Sequence, residues 1–226
     1  MKFCIRVDDL GWNLDKSPDM CLQFARKFHE AMAGVPYLGA VIPYCLDKAG
    51  QSWLQSEPTG LTVAMHGFRH EPYMKGEPSE FYGCTLSKCK ELIHIASLML
   101  GIETRHFVAP WNHYTDDLHE ALAAEGFDLR WMGPEAGSVP PLPEFRHYLR
   151  IPAWRRLDGA FRWRMGPEDE PLLEILSELT ERPGQAVISL HVTWEGSKGD
   201  DFRGVREFVQ KYGDAVITPD QYLKGK

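Results

Sequence analysis

The sequence predicts an α/β fold: a (β/α) barrel of parallel strands with helices packed outside. Short, β-rich apolar runs alternate with longer runs of helical spacing along the chain, the pattern of parallel strands joined by helical crossovers. Seven or eight runs qualify as strands, and closure into a barrel is the economical arrangement for that number, with an open doubly wound sheet as the alternative. The length, 226 residues, suits a single α/β barrel, so one domain over residues 1–226 is expected.

The elements follow in order. "KFCIRV" (2–7) is an apolar strand that ends in a polar turn. "SPDMCLQFARKFHEAM" (17–32) opens a helix with Ser17 as N-cap and Pro18 at the first helical position, where a missing N–H costs nothing. "PYLGAVIP" (36–43) is a strand, followed by a helix near 46–56, and "GLTVAMH" (60–66) is a strand ending on His66. "LSKCKELIHIASLML" (86–100) has helical spacing, and "TRHFVAP" (104–110) returns as a strand. "TDDLHEALAAEG" (115–126) is a helix with Gly126 at its C-terminal stop, and "FDLRWM" (127–132) the next strand. Residues 133–143 form a Pro-rich loop, and 133–169 is the one candidate insertion. Leu172, Ile175, Leu176 and Leu179 lie at three- and four-residue steps in a helix over 170–184. "QAVISLH" (185–191) is a strand ending on His191; a helix over 200–213, a strand over 214–218 and a short helix from Pro219 complete the chain.

Composition narrows the function. Apolar residues at 43% and charged residues at 25% are ordinary for a globular domain with a full core. A net charge of −7 argues against a polyanion-binding surface, so nucleic acid is not an expected partner. No apolar run approaches the roughly 18 residues a membrane span needs. The N-terminal stretch reads as a strand rather than a secretion signal, and five scattered cysteines read as thiols rather than a disulfide framework. A cytoplasmic protein is expected.

Chemistry collects at strand ends, where barrel enzymes build their sites. Asp8 and Asp9 end the first strand and read either as turn residues or as a metal ligand beside a free base. His66 and His70 are four apart, a spacing that lets two imidazoles on one helical turn aim at a single ion. Two histidines and a carboxylate would leave coordination positions open, as a catalytic metal requires. His191 ends an apolar run and is a candidate general acid. Trp111, Trp131, Trp154, Trp163 and Trp194 are candidates for a wall against a sugar ring.

Taken in order, these pieces resemble the polysaccharide deacetylases, the NodB-homology group of family 4 carbohydrate esterases. "RVDD" (6–9) matches the family's strand and Asp-Asp step. "HGFRH" (66–70) matches its His-x-x-x-His segment, with Gly67 in place of a hydroxyl residue. "VAPWN" (108–112) matches loosely a segment that begins with arginine, and "ISLH" (188–191) its last strand end. The resemblance implies a distorted (β/α) barrel of about seven strands and a divalent metal, most often zinc. It assigns Asp9, His66 and His70 as ligands, Asp8 as general base and His191 as general acid. Pro110, Trp111, Asn112, Trp131 and Trp194 fall on the substrate side. Val108 stands where the family has the arginine that pairs with the base, and Arg6, Arg105 and Arg130 are the candidates to replace it. The implied reaction is removal of an acyl group, N-acetyl first, from a carbohydrate or related amide, the substrate being a small molecule or an oligosaccharide. Hydrolysis of cyclic amides or ureides on the same scaffold, and metal-retaining carbohydrate binding without turnover, are the alternatives.

Overall fold

The computed structural model describes residues 2–10, 18–71, 79–131, 185–191 and 202–224. Ser17, Trp154, Trp163, Trp194, the loop and insertion over 133–169 and the helix over 170–184 lie outside them.

Strand β1 (Lys2–Leu10) is buried from Phe3 onward, as expected of a strand covered on both faces in a parallel sheet. Helix α1 (Pro18–Met32) begins on the expected proline. β2 (Tyr37–Val41) follows, buried throughout, then α2 (Lys48–Gln55), β3 (Leu61–Met65) and α3 (Leu86–Leu100). β4 (His106–Val108), α4 (Asp116–Ala124) and β5 (Leu129–Trp131) come next. β6 (Gln185–His191), α5 (Arg203–Tyr212) and α6 (Pro219–Lys224) are the last named elements. The strand order is β5-β4-β3-β2-β1-β6; β1 with β6, β3 with β4 and β4 with β5 pair in parallel. The strand–helix alternation thus yields the parallel fold class it implies.

Six strands are named among the described residues, against about seven expected. The difference falls at 214–218, where Gly213–Ala215 turn as a 3-10 helix. Only a bridge from Val216 to Phe3 and an amide bond from Ile217 to the Phe3 carbonyl follow. Gly213 and Asp214 favour a turn, which leaves too few residues for a ladder.

The chain divides into two compact units, residues 1–39, 57–62 and 149–226, and residues 40–56 and 63–148. In the first, α1 packs on α5, and the Phe28 ring meets Tyr37 and Phe202 edge-on at 5.5 and 5.7 Å. Gly39 in β2 has no room for a side chain: a Cβ would lie 2.7 Å from both Leu10 and Leu61.

In the second, α3 packs on α4, and Phe107 of β4 is the hub, with Phe81, Tyr114 and Phe127 within 6.0, 6.3 and 5.9 Å. Cys89, Leu92, Ile93, Ala96 and Leu100 form the buried stripe of α3. The end of α4 closes as a Schellman turn: Gly126 is left-handed, its amide donates to the Ala123 carbonyl, and the Phe127 amide donates to that of Leu122. At the start of α2 the Asp47 carboxylate accepts from the Gly50 amide at 2.7 Å. Asp47→Ala is expected to cost about 1 kcal/mol, read as a shift in the urea midpoint.

Candidate metal centre

β1 carries three ionisable residues into a buried setting: Arg6, Asp8 and Asp9 are each no more than 5% exposed. Burial of such groups is tolerable only with partners. Arg6 and Asp8 are two apart on a strand and so share a face. The Arg6 Nε donates to Asp8 Oδ1 at 2.7 Å and its Nη2 to Oδ2 at 2.5 Å, a two-pronged, charge-assisted grip. Among the three candidate arginines, Arg6 is therefore the one that holds the Asp8 carboxylate. Arg105 instead pairs with Asp128 at the surface, and Arg130 donates to the Phe127 carbonyl and contacts His119.

Asp9 breaks the strand's alternation. Its φ of 57° is left-handed, a conformation that costs most residues about 1–2 kcal/mol and that Asp tolerates better. Six non-glycine residues among those described have positive φ, and Asp9, His70 and Trp111 are three of them. Backbone strain gathered on candidate site residues is a pointer to function.

The segment His66–His70 is not the helical turn that the i, i+4 spacing suggests. Gly67 and His70 both have left-handed φ, 66° and 58°, so the chain folds into a tight loop, which brings the imidazole rings to 4.8 Å, centroid to centroid. The His66 amide donates to the Val41 carbonyl at 2.7 Å. Its Nδ1 lies 2.8 Å from the Val108 carbonyl oxygen, which can only accept. Nδ1 therefore carries the proton, which leaves Nε2 as the ring atom of the type that ligates metals, the usual tautomer control by an outer partner.

The loop rests on a residue the sequence reading missed. Glu80, buried, accepts from the amides of Phe68 at 2.7 Å and Arg69 at 2.8 Å. Burial pushes its carboxyl above the ordinary range; the amides of Arg69, Phe68 and His70 and the nearby His66 pull the other way. Consecutive amides turned toward one anion form a nest, and here the anion is the chain's own. Gly67 is explained at the same time. A Cβ on it would stand 1.9 Å from Glu80 Oε1 and 2.5 Å from Pro110 Cγ. Gly67 in place of a hydroxyl residue was the sequence signal that another group fills that space.

His66 and His70 stand side by side in the second unit, and Asp9 belongs to the first. One carboxylate and two imidazoles suit a divalent transition ion.

The other candidates are placed as follows. Trp111 is 42% exposed, and its ring lies 4.2 Å from that of His70. Pro110 and Asn112 flank it in a 3-10 turn. Trp131 is 3% exposed, with its indole N–H donated to His106 Nδ1 at 2.9 Å. His191 ends β6 in register with Asp8 on the neighbouring parallel strand.

The parallel strand–helix arrangement is similar to the NodB-type barrel fold of solved family 4 carbohydrate esterases and polysaccharide deacetylases. Solved structures of that fold match this chain over nearly all its length. The chitin deacetylase of the fungal pathogen Colletotrichum lindemuthianum is 11% identical, with a TM-score of 0.59, covering 98% of this chain and 87% of that one. A family 4 carbohydrate esterase from Streptomyces lividans, in complex with acetate, is 12% identical with a TM-score of 0.54, covering 96% and 91%. A family 4 pseudoenzyme from Bacillus anthracis is 11% identical with a TM-score of 0.56, covering 99% and 65%. At these identities the likeness is one of fold. No family model and no curated protein matches the sequence.

Proposed function

We propose that this chain is a metal-dependent hydrolase that removes an acyl group, N-acetyl first, from a carbohydrate amide. The observation that carries the reading is the pair of adjoining imidazoles of His66 and His70, taken with the Asp8 carboxylate, buried and gripped by Arg6, that directly precedes Asp9. Zinc is the proposed ion, held by Asp9, His66 and His70. When bound, it would supply Lewis acidity and a water of lowered pKa. Asp8 is the base that takes a proton from the attacking water, and Arg6 holds that carboxylate ionised and oriented. His191 is the acid that returns a proton to the departing amine. The exposed face of Trp111 offers a stacking surface to a sugar ring.

The fold alone does not assign catalysis, because a pseudoenzyme shares it; the intact set of base, ligands and acid in this sequence favours turnover. The test is a panel of N-acetylated sugars and cyclic amides assayed with zinc-loaded protein, beside zinc titration of His66→Ala and His70→Ala. Amine release from the sugars, with zinc binding lost in both variants, is the expected result. Sugar binding without turnover, or zinc binding that survives both substitutions, would overturn the reading.

A further inference from the structure

The loop that presents His66 and His70 is held from two sides. On one, the Val108 carbonyl accepts from His66 and the Pro110 ring faces Gly67. On the other stands the Glu80 carboxylate, which spends its two oxygens on separate amides, Oε1 on Phe68 and Oε2 on Arg69. Oε1 also occupies the space where a side chain at 67 would begin, so that side chain and this carboxylate exclude one another.

We propose that Glu80 is a positioning residue for the metal centre: its carboxylate replaces a side chain at residue 67 and fixes the loop that aims both imidazoles at the cation. This inference rests on the metal reading above and adds to it the device that sets the bite of the two histidines. The physical case is one of freedom removed. Gly67 takes its left-handed φ freely, but the left-handed His70 is not a conformation the chain holds by local preference. Two charge-assisted bonds from consecutive amides in a buried setting hold it. Outer partners of ligand-bearing groups typically change metal affinity by about 10–100-fold when removed.

Glu80→Gln separates positioning from folding, since it keeps the shape and one acceptor but turns an NH2 group toward an amide N–H. Cobalt(II) is the probe, because its d–d absorption reports ligand geometry and its affinity can be read by competition with a chelating dye. The expected result is a variant with wild-type far-UV circular dichroism that binds cobalt about 10–100-fold more weakly, with an altered d–d band. Should Glu80→Gln not fold, Glu80→Asp, which keeps the charge but withdraws it by one methylene, must show the same loss. Equal affinity and an unchanged band in the folded variant would overturn the positioning role while leaving the metal reading intact. Failure of the wild-type chain to bind cobalt would sink both.

Discussion

Asp8→Asn is expected to lower turnover on the cleaved N-acetylated sugar by about 10²–10⁴-fold, the range for loss of a general base, while zinc still binds. An amide cannot take the proton, and its NH2 group faces the Arg6 fork, which then loses one of its two acceptors. Steady-state kinetics on the zinc-loaded variant, with zinc content measured on the same sample, separates the two functions of the Asp-Asp step. Full turnover with zinc bound would remove Asp8 from the base role. Loss of zinc as well would make Asp8 a support of the centre rather than its base.

The second large effect is on stability. Arg6→Met should destabilise the chain by about 3–5 kcal/mol, because it strands the Asp8 carboxylate in a buried setting with its ion-pair partner gone. The pair itself is worth far less than that figure, since both charges gave up water to form it. Arg6→Met combined with Asp8→Leu should therefore recover most of the loss, leaving no buried charge from this pair. Urea unfolding of the two variants and the wild type measures the contrast. A double variant as unstable as the single one would mean that Arg6 acts through packing of its stem and not through its charge.

The sequence made the elements legible where local chemistry agreed with the fold. The helix over 86–100 was readable from its apolar spacing, and the structure adds a Thr85 cap and a left-handed Gly101 at its two ends. Gly126 was readable as a helix stop from its place at the end of such a run. The strand expected over 214–218 shrank to a bridge because two turn-forming residues sit at its start. At the candidate site, residue types and order suggested which side chains matter, but the spacing of His66 and His70 implied a helical turn that the left-handed Gly67 and His70 rule out. Glu80 was illegible, since an acid thirteen residues beyond Gly67 in a polar stretch has no periodicity to mark it. Its burial is set by the loop it serves. Arg6 could have been ranked above Arg105 and Arg130 from the two-residue period of a strand alone.

That period has a wider consequence. With Arg6, Asp8 and Asp9 inside four consecutive positions, the cation, the proposed base and the proposed ligand are inherited as one short word. A single segment exchange, in nature or in the laboratory, moves all three together and in register. Two partners drawn from distant segments would instead have to be gained or lost in separate events, each passing through a stranded buried charge. In this chain Arg6 already grips the Asp8 carboxylate, so Val108 can stand where it does without leaving that carboxylate unpaired.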